Sequence, residues 1–198
     1  MMHSRVGPRR PGNAVTQSFY RRKEYIVNTR LTLISVATLS LLSPLADAAS
    51  ITGAVGVTGQ GDMTFRAGLE QVWDKSWWQT DIGHLSGYWD GAYTYWEGGD
   101  EASGAHSLSF SPVFIYEFSG WRYAPYIEVG VGVALFSKTD VGEQKLGSSF
   151  NFEDRIGVGL KLSDEQKVGI RAIHYSNAGI KQPNDGIESY SLFYTHSF

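Results

Sequence analysis

The chain has no cysteine and few basic residues outside its N-terminal region, and each shortage excludes a class of protein. Without cysteine there is no disulfide framework, no thiol nucleophile and no zinc–thiolate site. Seven of the 17 basic residues but only two of the 20 acidic ones lie in residues 1–48, which leaves 10 basic and 18 acidic groups in residues 49–198. Nucleic acid, which requires clustered Lys and Arg, is therefore not a predicted partner. No run of 18 apolar residues follows residue 48, so no spanning helix is predicted there.

The first 48 residues have the pattern of an export signal. Four basic residues between positions 21 and 30 precede an apolar run over residues 31–42 and an Ala-Asp-Ala motif at residues 46–48. The apolar run is too short for a spanning helix, so an uncleaved anchor is the weaker alternative. We predict a leader over residues 1–48, cleaved near Ala48 and Ala49, and one domain over residues 49–198.

Alternation of apolar residues with small or polar ones dominates the chain after residue 48 and predicts β-strands. In residues 126–136, Ile127 and Val129 lie on one face while Glu128 and Gly130 lie on the other. A soluble sandwich buries its apolar face, whereas a membrane barrel turns that face to lipid and keeps a polar interior. The predicted strands are residues 50–59, 63–74, 78–96, 105–119, 121–137, 148–162, 166–177 and 186–198.

Two features favour a membrane barrel over a sandwich. The last predicted strand ends on an aromatic residue, Phe198, as the last strand of bacterial outer-membrane barrels does. Aromatic residues also crowd the ends of segments, which suits girdles at the two membrane interfaces. We predict an all-β fold, an eight-stranded antiparallel transmembrane β-barrel; a seven-strand count is disfavoured because bacterial barrels have even strand numbers. The residues assigned to the girdles are Trp73, Trp77, Trp78, Tyr88, Trp89, Tyr93, Tyr95, Trp96, Trp121 and Tyr123.

Charged residues fall on the predicted inner face of this barrel. The interior of an eight-stranded barrel is just filled by side chains, so a buried ionic network is favoured over a transport path. An even strand number also places both termini on the periplasmic side, which makes the connection over residues 177–185 extracellular and the short turn over residues 163–165 periplasmic. The predicted interior charges are Arg66, Glu70, Glu128, Glu153, Arg155 and Arg171.

The last two predicted strands bring together a base, a nucleophile and an acid. His174 and Ser176 are two residues apart, so they share one face of their strand, and pairing His174 with Glu188 across the hairpin puts all three on the apolar face. A serine hydroxyl needs an adjacent base to become a nucleophile, and a third group orients that base. The alternative is that these are ordinary polar residues near a membrane interface.

A second acid and several donors lie close to this constellation in the predicted sheet. Asp154 on the preceding strand also falls opposite His174, so it is a rival orienting acid or a supporting group behind Glu188. The loop between the two strands offers Asn177, Gly179 and Asn184 as donors to an oxyanion. His84, His106 and His196 lack a matching acid and base, and no metal-ligand spacing stands out.

Four segments carry a resemblance to a known family. They are residues 174–179 (HYSNAG), 184–191 (NDGIESYS), 74–79 (DKSWWQ) and 146–155 (LGSSFNFEDR). The chain resembles the outer-membrane lipid A 3-O-deacylases of the PagL type through these segments and over most of residues 49–198. The family's Ser/His/Glu triad corresponds to Ser176, His174 and Glu188, and an oxyanion role is implied for the loop between them.

The resemblance implies hydrolysis of the ester-linked acyl chain at position 3 of the proximal glucosamine of lipid A. The enzyme would be a multi-pass protein of the bacterial outer membrane, with its active site toward the outer leaflet where lipopolysaccharide lies, and with no metal or cofactor. The alternatives are a non-catalytic small barrel for adhesion or membrane integrity, which the modest outer connections disfavour, and a barrel acyltransferase. The oligomeric state stays open, with a homodimer as one option.

Overall fold

The computed structural model describes residues 49–99 and 102–198, so the predicted leader lies outside the described residues. These ranges contain strands and turns but no helix, and hence no helix long and apolar enough to cross a membrane. The strands are β1 (Ala49–Val57), β2 (Met63–Val72), β3 (Trp77–Thr80), β4 (Gly83–Trp96), β5 (Ala105–Phe118), β6 (Ala124–Phe136), β7 (Asp140–Val141), β8 (Gln144–Lys145), β9 (Phe150–Lys161), β10 (Gln166–Ser176) and β11 (Ile187–Ser197).

Eight of these strands close into an antiparallel barrel, which confirms the predicted fold class. Each long strand pairs with the next long strand along the chain, and β1 pairs with β11 to close the ring. β3 pairs only with the start of β4, and β7 and β8 form a separate hairpin in the connection between β6 and β9. Because every long strand has two neighbours, no edge of the barrel sheet is left unpaired.

The predicted strand over residues 78–96 is wrong at its beginning. The chain turns at Asp81 and Ile82, so β3 ends at Thr80 and β4 begins at Gly83. The Thr80 hydroxyl stabilises this turn by donating a hydrogen bond to the Gly83 carbonyl at 3.0 Å. A Cβ at Gly83 would lie 2.3 Å from the Glu117 carbonyl oxygen, so this position requires glycine. The aromatic run that suggested one long strand is therefore split between two.

Outward-facing side chains of the barrel are apolar and inward-facing ones are polar or charged. Val129 and Ile156 are 47% and 58% exposed, whereas Glu128 and Glu153 are fully buried. This inside-out pattern is typical of a barrel that crosses a membrane. Two of the predicted girdle residues, Tyr88 and Trp96, are wrongly placed, because both point into the barrel and are fully buried.

The predicted ionic network is present inside the barrel. Its centre is Asp90, which pairs with both Arg66 and Arg155 and is not among the predicted interior charges. Glu70 makes no ion pair within the described residues; it accepts a hydrogen bond from Thr195 at 3.4 Å. A charge buried in such an interior is stabilised when it is paired and hydrogen-bonded, as the other predicted charges are. The remaining pairs are Arg66 with Glu153, Arg155 with Glu153 and Arg171 with Glu128.

Candidate active site

Three outward-facing residues on adjacent strands form one row of the barrel wall. His174 on β10 pairs with Glu188 on β11, as predicted from sequence, and with Asp154 on β9 on its other side. The inward residues that flank His174, Ile173 and Tyr175, are buried, so the row faces outward. It lies at the end of the barrel away from the last residues of β11, beside the connection between β10 and β11.

His174 is oriented by one of its two acidic neighbours. Its Nδ1 lies 2.8 Å from Oε1 of Glu188, and the two side chains are 42% and 34% exposed. With Nδ1–H donating to the carboxylate, Nε2 keeps the lone pair that a general base needs. The side chain of Asp154 is exposed and makes no hydrogen bond or ion pair to any residue that the structure describes. Glu188 is therefore the acid in contact with the imidazole.

The imidazole of His174 lies against the backbone at Gly186. A Cβ at Gly186 would be 2.8 Å from His174 Cε1 and 3.5 Å from Nε2, and Gly186 has a φ of +72°. Both observations require glycine at this position, because a side chain would clash with the ring and L-residues rarely adopt this φ. Gly186 thus leaves the space that the ring occupies.

Ser176 lies two residues beyond His174 on the same face and opposite Phe152 of β9. It is half-buried, and within the described ranges its Oγ makes no hydrogen bond to His174. Hydrogen bonds between a nucleophile and its base are often long before substrate is bound. The structure therefore places Ser176 on the same face of β10 as His174, two residues further along the strand.

Asn177, the first of the predicted oxyanion donors, holds the loop over residues 177–186 in place. Asn177 is fully buried; its Nδ2 donates to the carbonyls of Leu146 and Lys181 at 2.7 and 2.8 Å. Its backbone N–H donates to Oδ1 of Asn184 at 2.9 Å. The side-chain amide and the backbone N–H of Asn177 thus both have partners within the described residues.

Two predicted oxyanion donors keep groups without a partner in the described part of the chain. They are the backbone N–H of Gly179, which has a φ of +78°, and Nδ2 of Asn184, whose Oδ1 is held by Asn177. Gly179 lies in a turn of left-handed residues that begins at Ala178, which has a φ of +52°. Sequence alone cannot separate these two donors from Asn177, because the difference lies in contacts with a distant loop.

An apolar groove runs along the outer wall beside the row of His174. It has a volume of about 460 Å³, and the next outward row, Ile156, Ala172 and Tyr190, forms its upper part. Ala172 has the smallest side chain of that row, which leaves a depression between its two larger neighbours. The following row contributes Val158 and Ile170. The groove therefore begins one residue row from the acid–base pair and runs along the outward-facing apolar surface.

The other histidines of the described residues have different surroundings from His174. A hydrogen bond of 2.6 Å joins His106 Nδ1 and the Tyr93 hydroxyl, and His196 packs against Phe198. His84 lies at the opposite end of the barrel, on β4 near its start. Groups of three or more His, Asp or Glu residues able to hold a metal ion are absent from these residues.

Comparisons with known proteins agree over most of the chain. The family model for lipid A 3-O-deacylase (PagL) matches residues 60–197. A lipid A deacylase PagL of Pseudomonas aeruginosa is 65% identical over 166 residues, which cover 82% of this chain and 96% of the relative. A protein of the same name from Bordetella bronchiseptica is 35% identical over 173 residues, covering 84% of this chain and 95% of the relative. A crystal structure of the outer membrane enzyme PagL is similar with 68% identity and a TM-score of 0.73, over 74% of this chain and 98% of that one.

Proposed function

The chain belongs to the lipid A 3-O-deacylase (PagL) family, and we propose that Ser176, His174 and Glu188 form its catalytic triad. It is a carboxylic ester hydrolase of the bacterial outer membrane that acts on lipid A. Family membership excludes the alternative of a non-catalytic barrel for adhesion or membrane integrity. The observation that carries the triad is the hydrogen bond between His174 Nδ1 and Glu188 Oε1 on an outward-facing, accessible row.

The reaction proceeds through an acyl-enzyme. Ser176 Oγ attacks the carbonyl of the ester at position 3 of the proximal glucosamine while Nε2 of His174 takes its proton. The tetrahedral intermediate collapses, and the imidazolium returns the proton to the departing sugar oxygen. Water, deprotonated by His174, then attacks the acyl-enzyme, releases the fatty acid and restores Ser176. Glu188 keeps the imidazole in the required tautomer and balances its charge in both steps.

The groups around the triad supply an oxyanion site and an acyl site. Gly179 N–H and Asn184 Nδ2 donate to the negative oxygen of the tetrahedral intermediate, because both have free donors in the loop that follows Ser176. The groove past Ala172 receives the acyl chain of the scissile ester, since it is apolar and begins one residue row from His174. Both groups lie on the outer wall, where a membrane lipid has access without entering the filled barrel.

The orientation of the barrel follows from the same proposal. The site lies at the end of the barrel that carries the connection over residues 177–186, and the opposite end carries the short turn Ser163–Glu165. Long connections of outer-membrane barrels are extracellular and short ones periplasmic. The triad then faces the outer leaflet, and the leader over residues 1–48 directs export across the inner membrane.

Mass analysis of lipid A from a Gram-negative host tests this function. Expression of the wild-type chain is expected to convert lipid A to a species lacking one 3-O-linked acyl chain, while Ser176→Ala and His174→Asn leave lipid A unchanged. Equal amounts of folded barrel in the three membranes are the control. A wild-type barrel that is folded and leaves lipid A intact would overturn the activity, and an active Ser176→Ala would overturn the triad.

A further inference from the structure

The connection between β6 and β9, residues 137–149, contacts the loop of residues 177–186 at three consecutive positions. The first contact is a pair of hydrogen bonds between Lys145 and Asp185. Lys145 N–H donates to Oδ2 of Asp185 at 2.9 Å, and Asp185 N–H donates to the Lys145 carbonyl at 3.2 Å. Two bonds between the same residues fix both the distance and the relative direction of the two chain segments.

The second and third contacts follow directly along the chain. The carbonyl of Leu146 accepts the bond from Asn177 Nδ2 at 2.7 Å. A Cβ at Gly147, which has a φ of +65°, would lie 2.1 Å from the Pro183 carbonyl oxygen, so the two backbones approach each other closely there. Residues 145–147 therefore form a clamp along the loop that carries the free donors.

The clamp is itself anchored in the barrel. Leu146 is fully buried in a cluster with Trp96, Tyr175 and Ile187, and its N–H donates to the Thr139 carbonyl at 2.7 Å. Two of these neighbours belong to the strands that carry the candidate site: Tyr175 lies between its base and nucleophile, and Ile187 precedes its acid. A rigid anchor of this kind transmits the position of the barrel wall to the loop.

We infer that residues 145–147 position the oxyanion loop, and that Asp185 is a positioning residue for the deacylation reaction. This inference rests on the proposed function, because it assigns a role relative to Ser176 and to the donors of Gly179 and Asn184. Asp185 acts through the loop and does not contact the ester. Donors that stabilise a developing oxyanion must be held in place before reaction, and a small displacement lowers the rate of the chemical step more than it lowers binding.

The test compares variants of Asp185 in purified, detergent-solubilised full-length barrel, with initial rates of lipid A deacylation measured over a range of lipid A mole fractions in mixed micelles. Asp185→Ala removes the acceptor of the Lys145 N–H, whereas Asp185→Asn keeps an acceptor and removes only the charge. Glu143→Ala, at the exposed tip of the β7–β8 hairpin, removes one acidic charge from the same connection and serves as the matched control.

The expected result is a fall in kcat of about tenfold or more for Asp185→Ala with little change in KM. Asp185→Asn is expected to keep most of the wild-type kcat, and Glu143→Ala all of it. Gly147→Ala, which pushes the clamp away from Pro183, is expected to lower kcat in the same way. Heat-modifiable gel mobility confirms that each barrel is folded.

Wild-type kcat in Asp185→Ala, or equal losses in Asp185→Ala and Asp185→Asn, would overturn the positioning role. Ser176→Ala measured in parallel separates this outcome from failure of the proposed function. If Ser176→Ala is inactive while Asp185→Ala matches wild type, only the clamp is wrong. If Ser176→Ala is active, the triad itself is wrong.

Discussion

The hydroxyl of Tyr175 donates a hydrogen bond to Oε2 of Glu153, 2.8 Å away, inside the barrel. Nη1 of Arg66 donates to the same hydroxyl at 3.1 Å. Tyr175 stands between His174 and Ser176 on β10, so its inward side chain anchors the backbone from which the two outward ones project. The buried ionic network and the outward-facing candidate site therefore share one strand.

Replacing Tyr175 by Phe tests how much the hydrogen bond between Tyr175 and Glu153 contributes to stability. The change removes the hydroxyl that Glu153 accepts from and leaves a buried carboxylate with one hydrogen bond fewer. Loss of a hydrogen bond to a charged group is expected to destabilise the barrel by about 1.5–3 kcal/mol. Urea unfolding in lipid vesicles measures this loss as a lower transition midpoint. An unchanged midpoint would show that the bond contributes nothing to stability.

A pair of isosteric variants distinguishes the roles of the two acids beside His174. Glu188→Gln removes the charge that holds Nδ1–H, and kcat for lipid A is expected to fall by about 10²–10⁴-fold, as for other triads in which the tautomer is lost. Asp154→Asn is expected to stay close to wild type, because Asp154 does not contact the imidazole. A larger loss in Asp154→Asn than in Glu188→Gln would assign the orienting role to Asp154.

Gly186→Ala is expected to displace the imidazole. The new methyl group would lie 2.8 Å from His174 Cε1, and the residue would also have to keep a φ of +72°. We expect kcat to fall by about tenfold or more while the barrel still folds, since the change lies at its rim. Rates are measured beside Gly61→Ala, where a Cβ meets no atom within 4 Å although φ is +101°. Equal losses in both variants would attribute the effect to backbone strain instead of the clash.

Filling the outer groove tests the acyl site. Ala172→Phe places a large side chain between Ile156 and Tyr190, and deacylation of lipid A is expected to fall by about tenfold or more through the lost burial of several methylene groups, at ~0.8 kcal/mol each. Hydrolysis of a short-chain ester, which does not reach the groove, is expected to continue. Leu108→Phe, outward-facing on β5, is the control. Equal rates on lipid A in the two variants would show that the acyl chain lies elsewhere.

The pairing of His174 with Glu188 is predictable from sequence for a simple reason. Strand side chains alternate with a period of two, and a hairpin whose apolar residues must share a face has few registers available. The same rule places Asp154 opposite His174 and Ala172 opposite Tyr190, and all of these pairings are confirmed. Where one face is uniformly apolar, sequence determines which residues meet across a pair of strands.

Other features depend on contacts between distant segments, and sequence does not reveal them. Tyr88 and Trp96 are predicted as girdle residues because aromatic side chains are common at membrane interfaces. Inside the barrel, however, both have polar partners. Tyr88 donates a hydrogen bond to Glu128 at 3.0 Å, and Trp96 donates one to Ser107 at 2.9 Å. Asn177 likewise has the residue type of an oxyanion donor, but a carbonyl 31 positions earlier in the chain engages its amide. Tertiary contacts determine where these side chains point and which groups they bond, and no local sequence pattern predicts those contacts.

Labelling with a long-chain fluorophosphonate tests the central claim, that Ser176 is a nucleophile activated by His174, most directly. The purified barrel is treated with the reagent and examined by intact mass and peptide mapping. We expect one covalent phosphonyl group on Ser176 in the wild-type chain, slow labelling in Glu188→Gln and none in His174→Asn. A wild-type barrel that deacylates lipid A but carries its label on another residue, or labels equally well without His174, would contradict it.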